Sequence, residues 1–256
     1  MAERMLPVVL VLVAIGYALA AERASRVNSR PIDLRAALVF VGAIAVLALA
    51  LTSPHDSASA HRLSWHMVQH LLLISVAAPL LAVAHPFRVI ADLLPRQFDR
   101  LRGIRDRSDL ATTAASATAA LAVLLVWHVP ALYDAALRNQ TLHGFEHITL
   151  LGSSMLLWSQ LIRAEHLGSS VLWLFVVTLP MTAFGVAMTI ARTPWYPVYA
   201  DHLSFAAALR DQQMAGVIMW AFGGLAALLG AIAMFASWLA HADATSVAVA
   251  VDRVSR

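Results

Sequence analysis

The chain contains no cysteine and no lysine, and charged residues make up only 13% of its 256 positions. Without cysteine it forms no disulfide, no thiolate metal site and no iron–sulfur cluster. Soluble domains are about 25% charged, so the low charge excludes an ordinary soluble enzyme. All 18 basic residues are arginine. They form no basic face interleaved with aromatic residues, which argues against nucleic-acid binding.

Apolar sequence is what the chain has in excess: 60% of its residues are hydrophobic and its mean hydropathy is +0.73. A helix of about 20 apolar residues crosses the hydrocarbon core of a bilayer. We therefore predict an all-α fold, in which residues 1–256 form a single domain, a polytopic membrane helix bundle of about seven transmembrane helices. Residues 1–20 also fit a cleaved signal peptide, but Glu3 and Arg4 and the continuing membrane pattern favour a first span. The predicted spans are residues 5–21, 34–52, 64–84, 110–130, 142–162, 169–191 and 212–239.

The arginines divide unevenly between the two sides of these spans. The side that holds the N-terminus and the connections after spans two, four and six carries five, and the opposite side carries the other thirteen. Because arginine-rich loops stay in the cytoplasm, we predict a multi-pass protein of the cell (plasma or inner) membrane with its N-terminus outside and its C-terminus cytoplasmic.

The longest predicted cytoplasmic connection, residues 85–109, has apolar residues at steps of three and four. This pattern predicts a short amphipathic helix on the inner membrane face, interrupted near Pro95. A docking surface for a partner is the alternative interpretation of the same pattern.

Histidine is concentrated at one depth of the predicted bundle, since eight of the eleven fall outside or in the outer half of a span. His66 and His70 begin span three, and His143 and His147 begin span five. Each pair is spaced i, i+4, which places both imidazoles on one helix face. Ionisable residues in a span usually face the bundle interior, a partner or a water-filled cavity. We expect at least one pair to bind a metal or a haem iron, although a histidine at a helix start also caps or hydrogen-bonds locally.

The residue types at this depth narrow the ligand. Imidazole suits zinc, copper, iron and nickel, and a thioether adds a preference for Cu(I). A hydrolytic zinc site is disfavoured, because the zincin pattern needs glutamate directly after its first histidine, whereas Met67 follows His66. Glu146 precedes His147 and does not meet the pattern either. Haem held between facing helices stays an alternative.

Several motifs across residues 53–220 resemble those of one family, the multi-spanning CtaG family of cytochrome c oxidase assembly factors. The similar motifs are His66-Met67-Val68-Gln69-His70, Ala78-Pro79 with His85-Pro86, Trp127-His128-Val129-Pro130 with Tyr133-Asp134, His143-Gly144-Phe145-Glu146-His147, and Asp211-Gln212-Gln213-Met214-Ala215-Gly216 with Met219-Trp220.

The resemblance implies a non-enzymatic role in the assembly of haem-copper oxidases in bacterial inner membranes, by helping copper to reach the catalytic subunit. It implies copper, as Cu(I), with haem as the alternative. The implied partners are cytochrome c oxidase subunits, another copper chaperone and membrane lipid, and a homo-oligomer is possible. A copper transporter, a haem-binding redox protein and a metal-free scaffold are the competing functions. The expected metal residues are His66, His70, His143, His147, His128, Met214 and Met67, with Asp211 and Gln212 orienting the ligand imidazoles.

Overall fold

The fold is a bundle of α-helices. A computed structural model of the chain describes residues 2–28, 31–52, 58–93, 110–162, 167–199, 201 and 203–254. Of these described residues, 90% are helical and none lies in a strand. The simple helices are α1 Ala2–Asn28, α2 Leu34–Leu51, α4 Pro86–Leu93, α5 Leu110–Trp127, α6 Pro130–Arg138, α7 Gln140–Leu161 and α8 Leu167–Ile190.

Two helices are continuous but change their winding part-way. Helix α3, residues 63–84, consists of Leu63–Leu71, a π-helical segment Leu72–Ala77, and Ala78–Ala84. Helix α9, residues 205–254, consists of Phe205–Val217, a π-helical segment Ile218–Phe222, and Gly223–Val254. A short 3₁₀ turn, Pro197–Tyr199, lies between α8 and α9.

Six helices of the described chain, α1, α2, α3, α5, α8 and α9, are long and apolar enough to cross a membrane. The predicted all-α membrane bundle is therefore confirmed. The predicted fifth span coincides with α7, which has 22 residues but is not one of the six. Helix α7 carries His143, Glu146 and His147, and these polar residues lower its hydropathy. The orientation predicted from the arginines stays a prediction.

Helix α3 is the central helix of the bundle. In its most apolar stretch 56% of the residues are buried, against 11–22% in the other five membrane-length helices. It packs against α2, α7 and α9. Side chains on several faces of α3 therefore pack against other helices. A polar residue within a membrane requires such protein surroundings.

The π-helical segment of α3 leaves one buried backbone carbonyl without a helical partner. The backbone N–H of Ala78 bonds to the carbonyl of Leu73, five residues back. In the same register the carbonyl of Ile74 would pair with residue 79, but this is Pro79, which has no N–H. The indole Nε1–H of Trp158 on α7 instead donates to the Ile74 carbonyl, at 3.0 Å. One side chain thus satisfies the buried backbone acceptor that the proline leaves open.

Helices α8 and α9 meet through two glycines. A Cβ atom added to Gly216 would lie 2.5 Å from the Gly185 carbonyl oxygen and 2.7 Å from the Thr189 backbone nitrogen. Only glycine allows this close approach of the two backbones. The contact at Gly216 fixes the position of α9 about one turn beyond its buried polar residues Asp211 and Gln212.

The amphipathic helix predicted after span three begins where it was expected. Helix α4, Pro86–Leu93, packs against α1. It follows His85, whose positive φ of 47° ends α3 in a left-handed turn. Residues 94–109, which include the predicted interruption at Pro95, lie outside the described residues.

Candidate metal centre

The His66 and His70 side chains meet at the start of α3. Both are buried, with 0% and 2% of their surfaces exposed. Their Nε2 atoms lie 2.8 Å apart, and their ring centroids are 4.3 Å apart. The predicted i, i+4 pairing on one helix face is therefore present, and the shared face points into the bundle.

Helix α7 brings its own pair and a carboxylate to the same place. It begins after Asn139, whose side chain accepts from the amides of Thr141 and Leu142, as N-cap residues do. His143 and His147 follow one turn apart, with ring centroids 4.2 Å apart. The ring of His147 lies 5.7 Å from that of His70.

Glu146 completes this group from the same turn of α7. Its Oε1 atom lies 3.4 Å from His70 Nε2 and 4.0 Å from His66 Nε2, and its side chain is 0% exposed. Potential ligand atoms of His66, His70, Glu146 and His147 all lie within 4.8 Å of one another. We call these four residues the His/Glu cluster.

His128, just after α5, lies beside the cluster in a defined tautomer. Its Nδ1 atom is 2.7 Å from the Leu124 carbonyl oxygen, so Nδ1 carries the proton and donates it. The Nε2 atom then presents a lone pair, and it is buried with no hydrogen-bond partner among the described residues. The ring is 5.8 Å from that of His70. His128 is therefore poised to accept a hydrogen bond or to bind a metal.

Several polar atoms of the cluster lack the partners that buried polar atoms normally have. Within the described chain, His66 Nδ1, His70 Nδ1, His147 Nε2 and both carboxylate oxygens of Glu146 make no hydrogen bond. Such atoms are few in native proteins, and each calls for an explanation such as strain, catalysis or an ion. Three imidazoles and one carboxylate form a donor set that fits a first-row transition metal. The residues therefore fit a metal ion chemically.

A layer of three tyrosines covers the cluster at this end of the bundle. Tyr133 on α6 lies 5.0 Å from the His66 ring, centroid to centroid. Tyr196 and Tyr199 reach in from the loop between α8 and α9, and all three are buried. Tyr196 donates to the His128 carbonyl at 2.9 Å. Burial raises the pKa of each phenol, so the tyrosines act as neutral hydrogen-bond donors rather than as phenolate ligands.

Asp211 and Gln212 support the site through backbone contacts. The Asp211 carboxylate accepts from the Leu63 amide at 2.7 Å and from the Ser64 hydroxyl at 2.6 Å. It therefore caps the first turn of α3, where Arg62 in the N-cap position makes no side-chain cap bond. Gln212 accepts from the Trp195 amide at 2.6 Å and so holds the loop that carries the tyrosines. Their described hydrogen bonds thus position a helix and a loop, and the role in orienting imidazoles expected from the sequence stays a prediction.

Comparison with known proteins decides the family. The family model described as cytochrome c oxidase caa3 assembly factor matches residues 15–241. The chain belongs to this family. No curated protein matches it significantly, and no solved structure does. The resemblance drawn from the motifs is thereby confirmed, and this caa3 assembly factor family member is a multi-pass membrane protein.

The two methionines expected as ligands in this assembly factor have different surroundings. Met214 on α9 has 55% of its surface exposed, because it lies on the opposite face from the buried Asp211, Gln212, Ala215 and Gly216. Met67 is buried, but it packs in the hydrophobic core. The His/Glu cluster is defined from histidine and glutamate alone, so the ligand role of both methionines stays a prediction.

Two features of the site were not assigned from the sequence. Glu146 was considered only as a failed zincin acid, although its place between His143 and His147 was a usable signal. Tyr133 was quoted in a motif without a role. The aromatic residues of the connection 192–211 predict an aromatic belt at the membrane interface, whereas the structure buries Tyr196 and Tyr199.

Proposed function

We propose that this caa3 assembly factor binds copper at the His/Glu cluster and helps to deliver it to the catalytic subunit of cytochrome c oxidase. The observation that carries the proposal is the convergence of four buried donors, from His66, His70, Glu146 and His147, within 4.8 Å. His143 and His128 adjoin them and are further candidates to bind the ion as it arrives or leaves. In this role the protein carries the copper ion and passes it on, so the ion is not a resident cofactor.

Burial and charge favour Cu(I) in this proposal. A net charge inside a membrane protein is costly. An ionised Glu146 among neutral imidazoles balances one positive charge, so Cu(I) leaves the buried site neutral whereas a divalent ion leaves one charge in excess. The absence of thiolates suits a carrier, since imidazole and carboxylate donors release the ion to a partner by ligand exchange.

The geometry also favours a small ion over haem. Imidazole rings of the cluster lie only 4–6 Å apart between centroids, and His66 and His70 share one helix. Haem ligands approach from opposite faces of a wide planar ring. A bare ion needs no such gap, so the same residues serve it without rearrangement of the helices.

The test is metal content and absorption of detergent-purified protein after loading with Cu(I) under reducing conditions. We expect close to one copper per chain and no Soret band, and we expect the His66→Ala/His70→Ala variant to lose the copper. His85→Ala is the matched control, because His85 is exposed at the opposite end of α3, and it should keep the copper. A Soret band, preference for zinc in competition, or copper retained by the double variant would refute the proposal.

Delivery is tested separately from binding. In cells that lack the native protein, the wild-type chain should restore the copper content and activity of the oxidase, and the double variant should not. If the double variant restores assembly fully, the protein acts as a scaffold and the cluster has another role.

A further inference from the structure

The His/Glu cluster is closed off in this structure. His66 and Glu146 are 0% exposed, His70 is 2% exposed and His147 is 8% exposed. An ion that enters or leaves must therefore displace some part of the protein that covers these side chains. Two short elements provide the cover at this end of the bundle: the nine-residue helix α6 and the loop that contains the 3₁₀ turn Pro197–Tyr199.

Three polar contacts hold these two elements together. The Tyr199 hydroxyl donates a hydrogen bond to the Ser59 carbonyl at 3.3 Å. Because its proton is used there, the Tyr199 oxygen accepts a hydrogen bond from the Tyr133 hydroxyl, 2.8 Å away. Asp134 accepts a hydrogen bond from the Val198 backbone. Arg138 pairs with Asp201 at 3.1 Å on the surface. We call the six residues of α6 and the loop that make these contacts the clasp: Tyr133, Asp134, Arg138, Val198, Tyr199 and Asp201.

The elements around the clasp are held by other contacts. The backbones of α8 and α9 approach each other closely at Gly185 and Gly216. The near end of the loop is tied to α9, because Gln212 bonds to both Trp195 and Thr193. Beyond that anchor, Tyr196 ties the loop to the His128 carbonyl, and the described polar contacts of the loop with α6 are those of the clasp. Ligand-binding loops are generally drawn from such weakly fastened parts of a structure.

We propose that the clasp is the gate of the metal site: α6 and the tyrosine-bearing loop separate to admit and release the ion, and they close over it through the contacts of Tyr133, Asp134 and Arg138. The inference rests on the proposed copper site. A gate changes how fast the ion exchanges, and it leaves the ligands and hence the affinity alone. This separation of rate from affinity distinguishes a gate from a ligand.

The first test compares exchange rates in Tyr199→Phe and in the parent protein. The variant keeps the buried ring but loses its hydrogen bonds to Tyr133 and Ser59. We expect Cu(I) loading and its removal by a water-soluble cuprous chelator both to become about three- to tenfold faster, with the dissociation constant unchanged. Tyr17→Phe is the matched control, because Tyr17 is also buried and donates at 3.3 Å to Ala84, at the far end of α3. A changed dissociation constant with unchanged rates would overturn the proposal.

The second test locks the clasp. The chain has no cysteine, so Arg138→Cys/Asp201→Cys supplies the only two thiols, at positions whose native side chains are more than half exposed. A short bifunctional thiol reagent that bridges them should abolish both loading and release. The unbridged double variant should exchange at least as fast as the parent, since it lacks the ion pair. Unimpeded exchange after bridging would overturn the proposal.

A third measurement needs no copper and separates failure of the gate from failure of the proposed function. His70→Cys places a single thiol in the cluster, and its labelling by a small charged methanethiosulfonate reports how often the site opens. We expect labelling to be slow, to speed up three- to tenfold when Tyr199→Phe is added, and to stay unchanged with Tyr17→Phe. Equal labelling in all three would overturn the gate even if copper binds. Loss of copper binding in the parent, with this pattern intact, would overturn only the proposed function.

Discussion

Replacing Gly216 with alanine should destabilise the bundle more than any other glycine-to-alanine change at the α8–α9 contact. The added Cβ would lie 2.5 Å from the Gly185 carbonyl oxygen, 2.6 Å from Thr189 Oγ1 and 2.7 Å from the Thr189 nitrogen. Two of these three atoms are backbone, so a change of rotamer cannot relieve the overlap. Ordinary contact begins at about 3.4 Å, and the two helices would have to separate by about 0.9 Å to reach it.

The magnitude follows from measured overpacking. Extra methyl groups forced into packed cores cost about 1–3 kcal/mol and occasionally more, and a backbone clash belongs at the upper end of that range. For a chain of this size 1 kcal/mol shifts the melting temperature by about 2–4 °C. We therefore expect Gly216→Ala to melt about 6–12 °C below the parent. Tryptophan fluorescence of the detergent-purified protein measures this, because Trp220 lies one turn beyond Gly216.

Two further glycines make the test an ordered series. In Gly185→Ala the nearest atoms lie at 3.0–3.1 Å, so we expect a smaller decrease of about 1–2 kcal/mol. In Gly224→Ala nothing lies within 4 Å, and alanine favours the helix by up to about 1 kcal/mol. A melting temperature for Gly216→Ala within about 2 °C of the parent, which corresponds to roughly 1 kcal/mol, would refute the reasoning. So would any order of the three melting temperatures other than Gly216→Ala lowest, Gly185→Ala next and Gly224→Ala highest.

Three other substitutions follow from the described contacts. Glu146→Gln keeps the shape of the side chain but removes its charge, so we expect copper affinity to fall at least about tenfold with little loss of stability. Trp158→Phe leaves the buried Ile74 carbonyl without its donor, and we expect a cost of about 1–3 kcal/mol in a thermal melt. Asp211→Asn replaces one carboxylate oxygen by an NH₂ group, which then faces a hydrogen-bond donor of the first α3 turn, at Leu63 or Ser64. We expect about 1–2 kcal/mol of destabilisation and weaker copper binding.

Matched variants control these three expectations. Glu22→Gln alters an exposed acid that pairs with Arg26 and should leave copper affinity unchanged. Trp238→Phe alters a tryptophan that is 42% exposed and should leave the melt unchanged. Asp33→Asn alters a local cap of α2, where asparagine serves equally well. If a control variant lowers copper affinity or the melting temperature as much as the variant it is paired with, the contact assigned to that paired variant does not have the stated effect.

The histidine pairs were predictable because they depend on local geometry. Residues four apart on a helix share a face whatever the surroundings, so His66 with His70 and His143 with His147 could be paired from spacing alone. The common depth of the two pairs followed from the approximate span positions, which apolar run length indicates. The predicted spans accordingly overlap α1, α2, α3, α5, α7, α8 and α9, although α9 begins at Phe205 and not at residue 212.

The remaining features of the site depend on which way each helix is rotated. Met214 lies only two residues from Gln212, yet that step turns it to the opposite face, where it is 55% exposed. Spacing within α9 cannot say which face meets the bundle. Asp211 reaches Leu63 across 148 residues of chain, and only the assembled bundle specifies that contact.

The contact between Asp211 and the first turn of α3 also bears on biosynthesis. Membrane chains are synthesised from the N-terminus, so α3 and both histidine pairs leave the ribosome before α9 does. Until α9 is inserted, the start of α3 lacks the carboxylate that caps it, and the loop anchored by Gln212 is not yet in place. The His/Glu cluster of the newly made chain therefore gains the support of Asp211 and Gln212 only when α9 has been inserted, and a product truncated before α9 would lack it.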